Sequence, residues 1–164
     1  MRTKSINFPN AESELSGLFD KLQRQAVNKI LAKGTLAIHG SASAVVKTTT
    51  TLYAMVDSVI VKLAAADLAA LSGTVVNATF NVFVFTINAA GTVKSYMGTA
   101  GTTLAGVVFP TTLDGECPIG FIIVNPTGTG NFVGGTTALD DGTVVPNVVY
   151  FDSDLSLAAL LSTL

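Results

Sequence analysis

A mainly β fold, organised as a β-sandwich, a jelly-roll-like domain or a barrel, is predicted for this chain by three observations. The first is Thr74–Ile87, TVVNATFNVFVFTI, where Phe80, Val82 and Val84 alternate with Phe83, Phe85 and Ile87. Successive side chains of a strand point to opposite faces, so apolar residues on both parities predict a central strand covered on both sides. Thr79, Asn81 and Thr86 form no polar stripe at helical spacing, which argues against a helix there. The second observation is a change of period at Thr35, from helical steps to a strand-like pattern that lasts to about Phe151. The third is the density of turn residues between short apolar runs, which a sandwich, jelly roll or barrel requires. The expected division is an arm and helix over 1–34, a β-domain over 35–152 and an apolar C-terminal tail over 153–164.

Taken in order, a basic polar arm, Met1–Phe8, ends at Pro9. An amphipathic helix is predicted next. Asn10 or Ser13 can cap it, Glu12 and Glu14 favour its positive end, Lys29 and Lys33 its negative end, and Gly34 fits the C′ position. Leu15, Leu18, Phe19, Leu22, Ala26 and Ile30 recur at three- and four-residue steps and make one apolar stripe. Thr35–His39 and Ala44–Lys47 are short strand candidates. Thr50–Val56 sets Leu52, Ala54 and Val56 against Thr51, Tyr53 and Met55, and Asp57-Ser58 turns the chain into Val59–Leu63. Ala64–Ser72 is a helical turn or a crossing loop.

After the central strand, Asn88-Ala-Ala-Gly91 makes a turn in which Gly91 suits a positive φ, and Thr92–Met97 returns as the antiparallel partner. Leu104–Phe109 is expected as a strand, Pro110–Pro118 as an acidic loop and Ile119–Asn125 as a second strongly apolar strand. Thr143–Phe151 is the last strand. Pro146 inside it predicts an edge or a bulge. Beyond it, Leu155, Leu157, Leu160, Leu161 and Leu164 make the tail too apolar to stay in water.

The chain has 164 residues, of which 49% are hydrophobic and 12% charged; that charged share is about half the usual one for a soluble domain. Thr, Asn, Ser and Gly interrupt every apolar run short of the ~18 residues a membrane helix needs. Uneven strands, nine Phe, three Tyr and no Trp do not suit the aromatic girdles of a membrane barrel. The opening MRTKSINFPNAES has no apolar core, so no secretory signal is expected. A soluble subunit that hides much of its surface in an assembly is the expectation that remains. Up to Lys94 nine basic residues face five acidic ones, and beyond it six acidic residues stand with no base. Such halves can attract each other within a chain or between copies. Few bases, no interleaved aromatics and a net charge of −2 argue against nucleic acid.

The chemistry-bearing residues are sparse. Cys117 is the only cysteine, so there is no internal disulfide and no CxxC pair, and no base lies near it to activate the thiol. His39, the only histidine, sits at a strand end. No HExxH, GxSxG or Walker loop is present. Thr127-Gly-Thr-Gly130 reads as a turn, since no base or helix start follows it. Asp140-Asp141, with Asn131 or Asp114, could hold calcium, and Asp57 with Asp67 could form a carboxylate pair, but turn and capping roles suit all of them. No enzymatic activity, cofactor or metal is expected.

Five runs together carry a resemblance: ADLAALSG from Ala66 to Gly73 leading into TVVNATFNVFVF, then AGTVKSYMGTAGTTLAGVVFP, IGFIIVNPTGTGNFVGGTTALDD and TVVPNVVYF. Over roughly 35–151 the chain resembles tailed-bacteriophage virion structural proteins of the head-decoration or head-fibre type. The resemblance implies a non-enzymatic capsid decoration or cement protein on the outer capsid surface, made in the host cytoplasm, with the major capsid protein as its partner. Capsid threefold positions favour a homotrimer; neither nucleic acid nor membrane is implied. The alternative is a head- or tail-fibre adhesion module that reads host surfaces through loops such as Thr127–Gly135, although a chain without Trp is poor in glycan platforms. The interface candidates are Leu15, Leu18, Phe19, Leu22 and Ile30 on the helix stripe and Leu155, Leu157, Leu160, Leu161 and Leu164 in the tail.

Overall fold

The computed structural model of the protein describes residues 28–112, 114–146 and 148–153. Its strands are β1 (Lys29–Ala32), β2 (Leu36–Ile38), β3 (Val46–Thr48), β4 (Leu52–Val56), β5 (Val59–Leu63), β6 (Thr74–Val75), β7 (Asn81–Asn88), β8 (Val93–Met97), β9 (Glu116–Val124), β10 (Phe132–Val133) and β11 (Val148–Asp152). The fold is mainly β, and among the described residues helical structure is confined to a 3-10 turn at Leu104–Gly106. Four antiparallel sheets form, in the orders β11-β9-β7-β8, β1-β4-β5, β2-β3 and β10-β6. Among the described residues they close no barrel, which sets that alternative aside.

The apolar run through Phe83 occupies the centre. β7 is flanked by β8 and β9, and every residue from Asn81 to Ile87 is buried. Phe83, Phe85 and Ile87 face inward, where they join Ile119, Ile122 and Val124 of β9 and Leu52, Ala54 and Val56 of β4 in one core. The four-stranded and three-stranded sheets therefore share their inner faces. β4 and β5 are joined as expected, with Val56 opposite Val59. Asp57 and Ser58 both have positive φ, 49° and 67°, as a two-residue hairpin turn matched to strand twist demands. Gly91 takes φ 79° in the β7–β8 turn, where Asn88 Oδ1 accepts from the backbone N–H of Ala90 and Thr92.

Several expectations are corrected. Lys29–Ala32, expected to end the N-terminal helix, is β1, paired with β4 through Ile30 opposite Ala54. Burying the β-branched Ile30 on the open edge of β4 outweighs the weak helix propensity of four residues. The part of the predicted helix before Asn28, and the tail leucines, lie outside the described residues. The long run Thr74–Ile87 is two strands. Asn77 and Ala78 break it with a turn in which Ala78 has φ 61°, while Val75 pairs with Phe132.

Leu104–Phe109, expected as a strand, is a loop folded on itself. A Cβ on Gly101 would stand 2.5 Å from the Gly106 carbonyl carbon, and only a Thr99–Val108 bridge closes its base. β9 begins at Glu116, inside the expected acidic loop. β11 begins after Pro146 and is an edge strand, so the proline marks the edge from just outside the ladder.

A bulge decides what β9 presents. Phe85 is opposite Gly120 but Thr86 is opposite Pro118, leaving Ile119 as the extra residue. Parity therefore switches: Cys117 and Ile119 face inward before it, Ile122 and Val124 after it. At the switch, a Cβ on Gly120 would stand 2.6 Å from both Leu36 Cδ1 and Phe151 O.

Candidate interaction surface

The outer face of the four-stranded sheet is built by the positions that alternate with the core. Val84 is opposite Tyr96 and Phe121, Thr86 is opposite Lys94, Val82 is opposite Ile123, and Val149 and Phe151 are opposite Ile123 and Phe121. Two different devices protect the outward side of β7. At one end the 99–109 loop lies over it, so that a Cβ on Gly98 would stand 2.8 Å from Val82 Cγ2 and 2.5 Å from Val108 O. At the other end a carboxylate cluster covers Thr86.

Glu116 supplies that cluster. Its Oε2 accepts from Thr86 Oγ1 at 2.7 Å, and its Oε1 accepts from Lys94 Nζ at 2.8 Å and Tyr96 OH at 3.0 Å. The Glu116 side chain is 4% exposed, while Lys94 is 43% exposed. Burial alone would raise the carboxyl pKa, but the bonds from Lys94, Thr86 and Tyr96 together outweigh it, and Glu116 titrates below its ordinary 4.5. The bond to Glu116 in turn raises Lys94, and burial followed by the same carboxylate raises Tyr96. A buried charge needs such partners. With Thr86, Lys94 and Tyr96 committed to it, the group closes an end of the sheet.

Beyond β7 the outer face is uncovered. Phe121 stacks on Phe151 at 4.8 Å with planes 13° apart, and Phe109 meets Phe121 edge-on at 5.0 Å. Phe109, Val149 and Phe151 are 53%, 45% and 42% exposed. Three rings in contact, bordered by Val108, Val149 and Ile123, make a contiguous apolar strip rather than scattered surface hydrophobes.

The outer face of the three-stranded sheet lies on the opposite side of the domain. Met55 is opposite Lys29 and Ile60, and Tyr53 is opposite Lys62. Ile60 is 66% and Tyr53 38% exposed. This face is apolar at its centre and basic at its margins.

The residues singled out from sequence are placed as follows. Ile30, a candidate interface residue, is 5% exposed in the core. Leu15, Leu18, Phe19 and Leu22, and the tail candidates Leu155, Leu157, Leu160, Leu161 and Leu164, lie outside the described residues. His39 Nδ1 is 2.5 Å from Asp67 Oδ1, at the surface, and this ties the β2 end to the loop before β6. Asp57 sits in the β4–β5 turn, its N–H bonded to Asn28 Oδ1, and is not brought together with Asp67 by any bond.

Asp140 accepts from Ala42 N and Asp141 from Thr143 N and Val144 N, while Asn131 accepts from Asn77 N. Each is occupied in shaping a loop. Among the described residues no group of three or more His, Cys, Asp or Glu side chains could hold a metal ion. Cys117 is buried, and burial pushes its thiol up to about 11.

No family model, curated protein or solved structure matches the chain. Its chemistry must therefore be judged from its own surfaces. Phe109, Phe121 and Phe151 were the surface residues that sequence reasoning did not single out. Phe121 looks like core by alternation from Ile119, and only the bulge turns it outward. Among the described residues no helix is long and apolar enough to cross a membrane.

Proposed function

We propose that the chain is a non-enzymatic structural subunit of a tailed-bacteriophage virion, a decoration protein with a sandwich-type β-domain. It binds the outer capsid surface as an oligomer, with the trimer favoured, and stabilises the shell through contact with the major capsid protein. The observation that carries this reading is the uncovered outer face of the three-stranded sheet, where Tyr53 and Ile60 are exposed on either side of Met55. Such a face suits a subunit that finishes its burial in an assembly. At ~25 cal/mol per Å² a standard interface hides enough apolar area to matter, although association costs offset much of it. A chain with 12% charged residues also presents little that repels a shell.

The resemblance to head-decoration and head-fibre proteins supplies the virion setting. Lys29 and Lys62 at the margins of that outer face add complementarity to an acidic partner surface, which speeds and orients docking more than it tightens it. The test is light scattering of the purified chain, followed by co-sedimentation with undecorated capsids and thermal melting of the shells. An oligomer that sediments with the shells and raises their melting temperature is expected. A monomer that stays in the supernatant overturns the reading.

A further inference from the structure

We infer that the aromatic strip on the outer face of the four-stranded sheet is the docking site for the chain's own C-terminal segment, residues 154–164. Three observations carry this. First, the segment starts where the strip is. Phe151 and Val149 belong to β11, the edge strand of that sheet, and Ser153 N still donates to Ile119 O at 3.3 Å, so the chain is held against β9 up to the point where the segment begins.

Second, the parity is right. Val149 and Phe151 point outward while Val148 and Tyr150 pack on the core. Leu155 and Leu157 continue the same odd-numbered series in the sequence.

Third, composition and reach agree. The segment has one charged residue, Asp154, at its start, and Leu155, Leu157, Leu160, Leu161 and Leu164 thereafter. Eleven residues reach up to roughly 36 Å when extended at ~3.3 Å each, whereas four strands about 4.8 Å apart span roughly 15–19 Å. The segment is long enough to return across the exposed aromatic rings and bury them. A sheet face that carries three touching rings, and a leucine-rich segment leaving from its own edge strand, each remove from water what the other exposes.

This assigns the tail leucines to a cover within the subunit and leaves the face of Tyr53, Met55 and Ile60 as the surface for assembly. The inference does not require the capsid reading, and its test uses the free, full-length protein. Val149→Cys places a thiol on the strip, Ala65→Cys places one on an exposed loop elsewhere, and buried Cys117 stays silent. Maleimide labelling of each is followed in the natural background and with Leu157→Asp, Leu160→Asp and Leu161→Asp combined. V149C is expected to label at least about tenfold more slowly than A65C, as a site gated by local opening does. The tail substitutions should remove that protection, and labelling should not change on dilution.

A V149C thiol that labels as fast as A65C in the natural background overturns the inference. So does protection that the aspartates leave intact. Protection that fades on dilution overturns it too, since a second copy is then the occupant. None of these outcomes bears on sedimentation with shells, so failure here and failure of the decoration reading are told apart.

Discussion

Phe121 and Phe151 stack face to face at 4.8 Å across the β9–β11 pair, on the side of the sheet turned away from the core. The contact joins the edge strand to the central strands where both rings are only partly covered. An aromatic pair adds about 0.5–1.5 kcal/mol beyond its buried area, so Phe151→Ala is expected to destabilise the domain by that increment plus the burial of a half-covered ring, about 1.5–2.5 kcal/mol in all. Phe83→Ala, by contrast, empties a fully buried site that meets Phe132 edge-on at 6.0 Å and is expected to cost about 3–5 kcal/mol. Urea denaturation of both variants checks the contrast. Equal losses would mean that the outer ring is as deeply enclosed as the core one.

Glu116 is the one strongly buried charge among the described residues, so it governs a pH dependence. Its pKa in the folded chain lies below the ordinary 4.5. The folded state therefore holds the carboxylate more readily than the unfolded state does. That stabilisation is present above the unfolded value and is lost as pH falls through the folded one. Lys94 is raised above its ordinary 10.5, so its share is present below that value and is lost as pH climbs past the folded one. Glu116→Leu strands the Thr86 hydroxyl, which is 0% exposed, and an unsatisfied buried donor costs about 1–3 kcal/mol. The variant should lose that much at neutral pH and show a flatter acid limb in chemical denaturation. A variant whose acid limb matches that of the natural chain would remove Glu116 from this role.

Much of the fold was legible in the sequence because local rules and tertiary needs agree there. The β4–β5 hairpin has clean alternation and a turn that tolerates positive φ, and β7 has apolar residues on both parities because both its sides are covered. Legibility failed where a non-local partner decides. Lys29–Ala32 is a strand because β4 offers an open edge. Leu104–Phe109 looks like β sequence but is held in a loop by Gly101 and Gly106. Phe121 was hidden by a bulge that no alternation count reveals, and the outward side of Phe151 is fixed only by its pairing with Phe121. As candidates for contact, the exposed rings became visible only with the register of β9 in hand.

Ile60→Glu and Tyr53→Glu separate assembly from stability. Both side chains lie on the outer face of the three-stranded sheet and leave the core untouched. Surface changes of this kind usually shift stability by no more than about 0.5 kcal/mol. Under the decoration reading they should nonetheless weaken oligomerisation or shell binding, because an added carboxylate must be desolvated in the contact and repels the acidic partner surface. Light scattering and co-sedimentation read the effect. Wild-type assembly by both variants would clear this face of any role.

Gly120 tests whether the four-stranded sheet and the β2–β3 pair are locked together at one point. It sits opposite Phe85 on β7 and Asp152 on β11, with Leu36 of β2 above it, and Asp152 Oδ1 accepts from Leu36 N at 2.7 Å. A Cβ there would lie 2.6 Å from both Leu36 Cδ1 and the backbone oxygen of Phe151. The side chain could yield, but the carbonyl belongs to a ladder strand and can move only with β11. Gly120→Ala is therefore expected to cost about 1–3 kcal/mol, the range for overpacking a close contact. Because the clash falls on β11, the loss should appear first as faster amide exchange at Tyr150, Phe151 and Asp152, ahead of any change in β4 or β5. Exchange that accelerates uniformly across all sheets would show instead that β11 opens only with the whole domain.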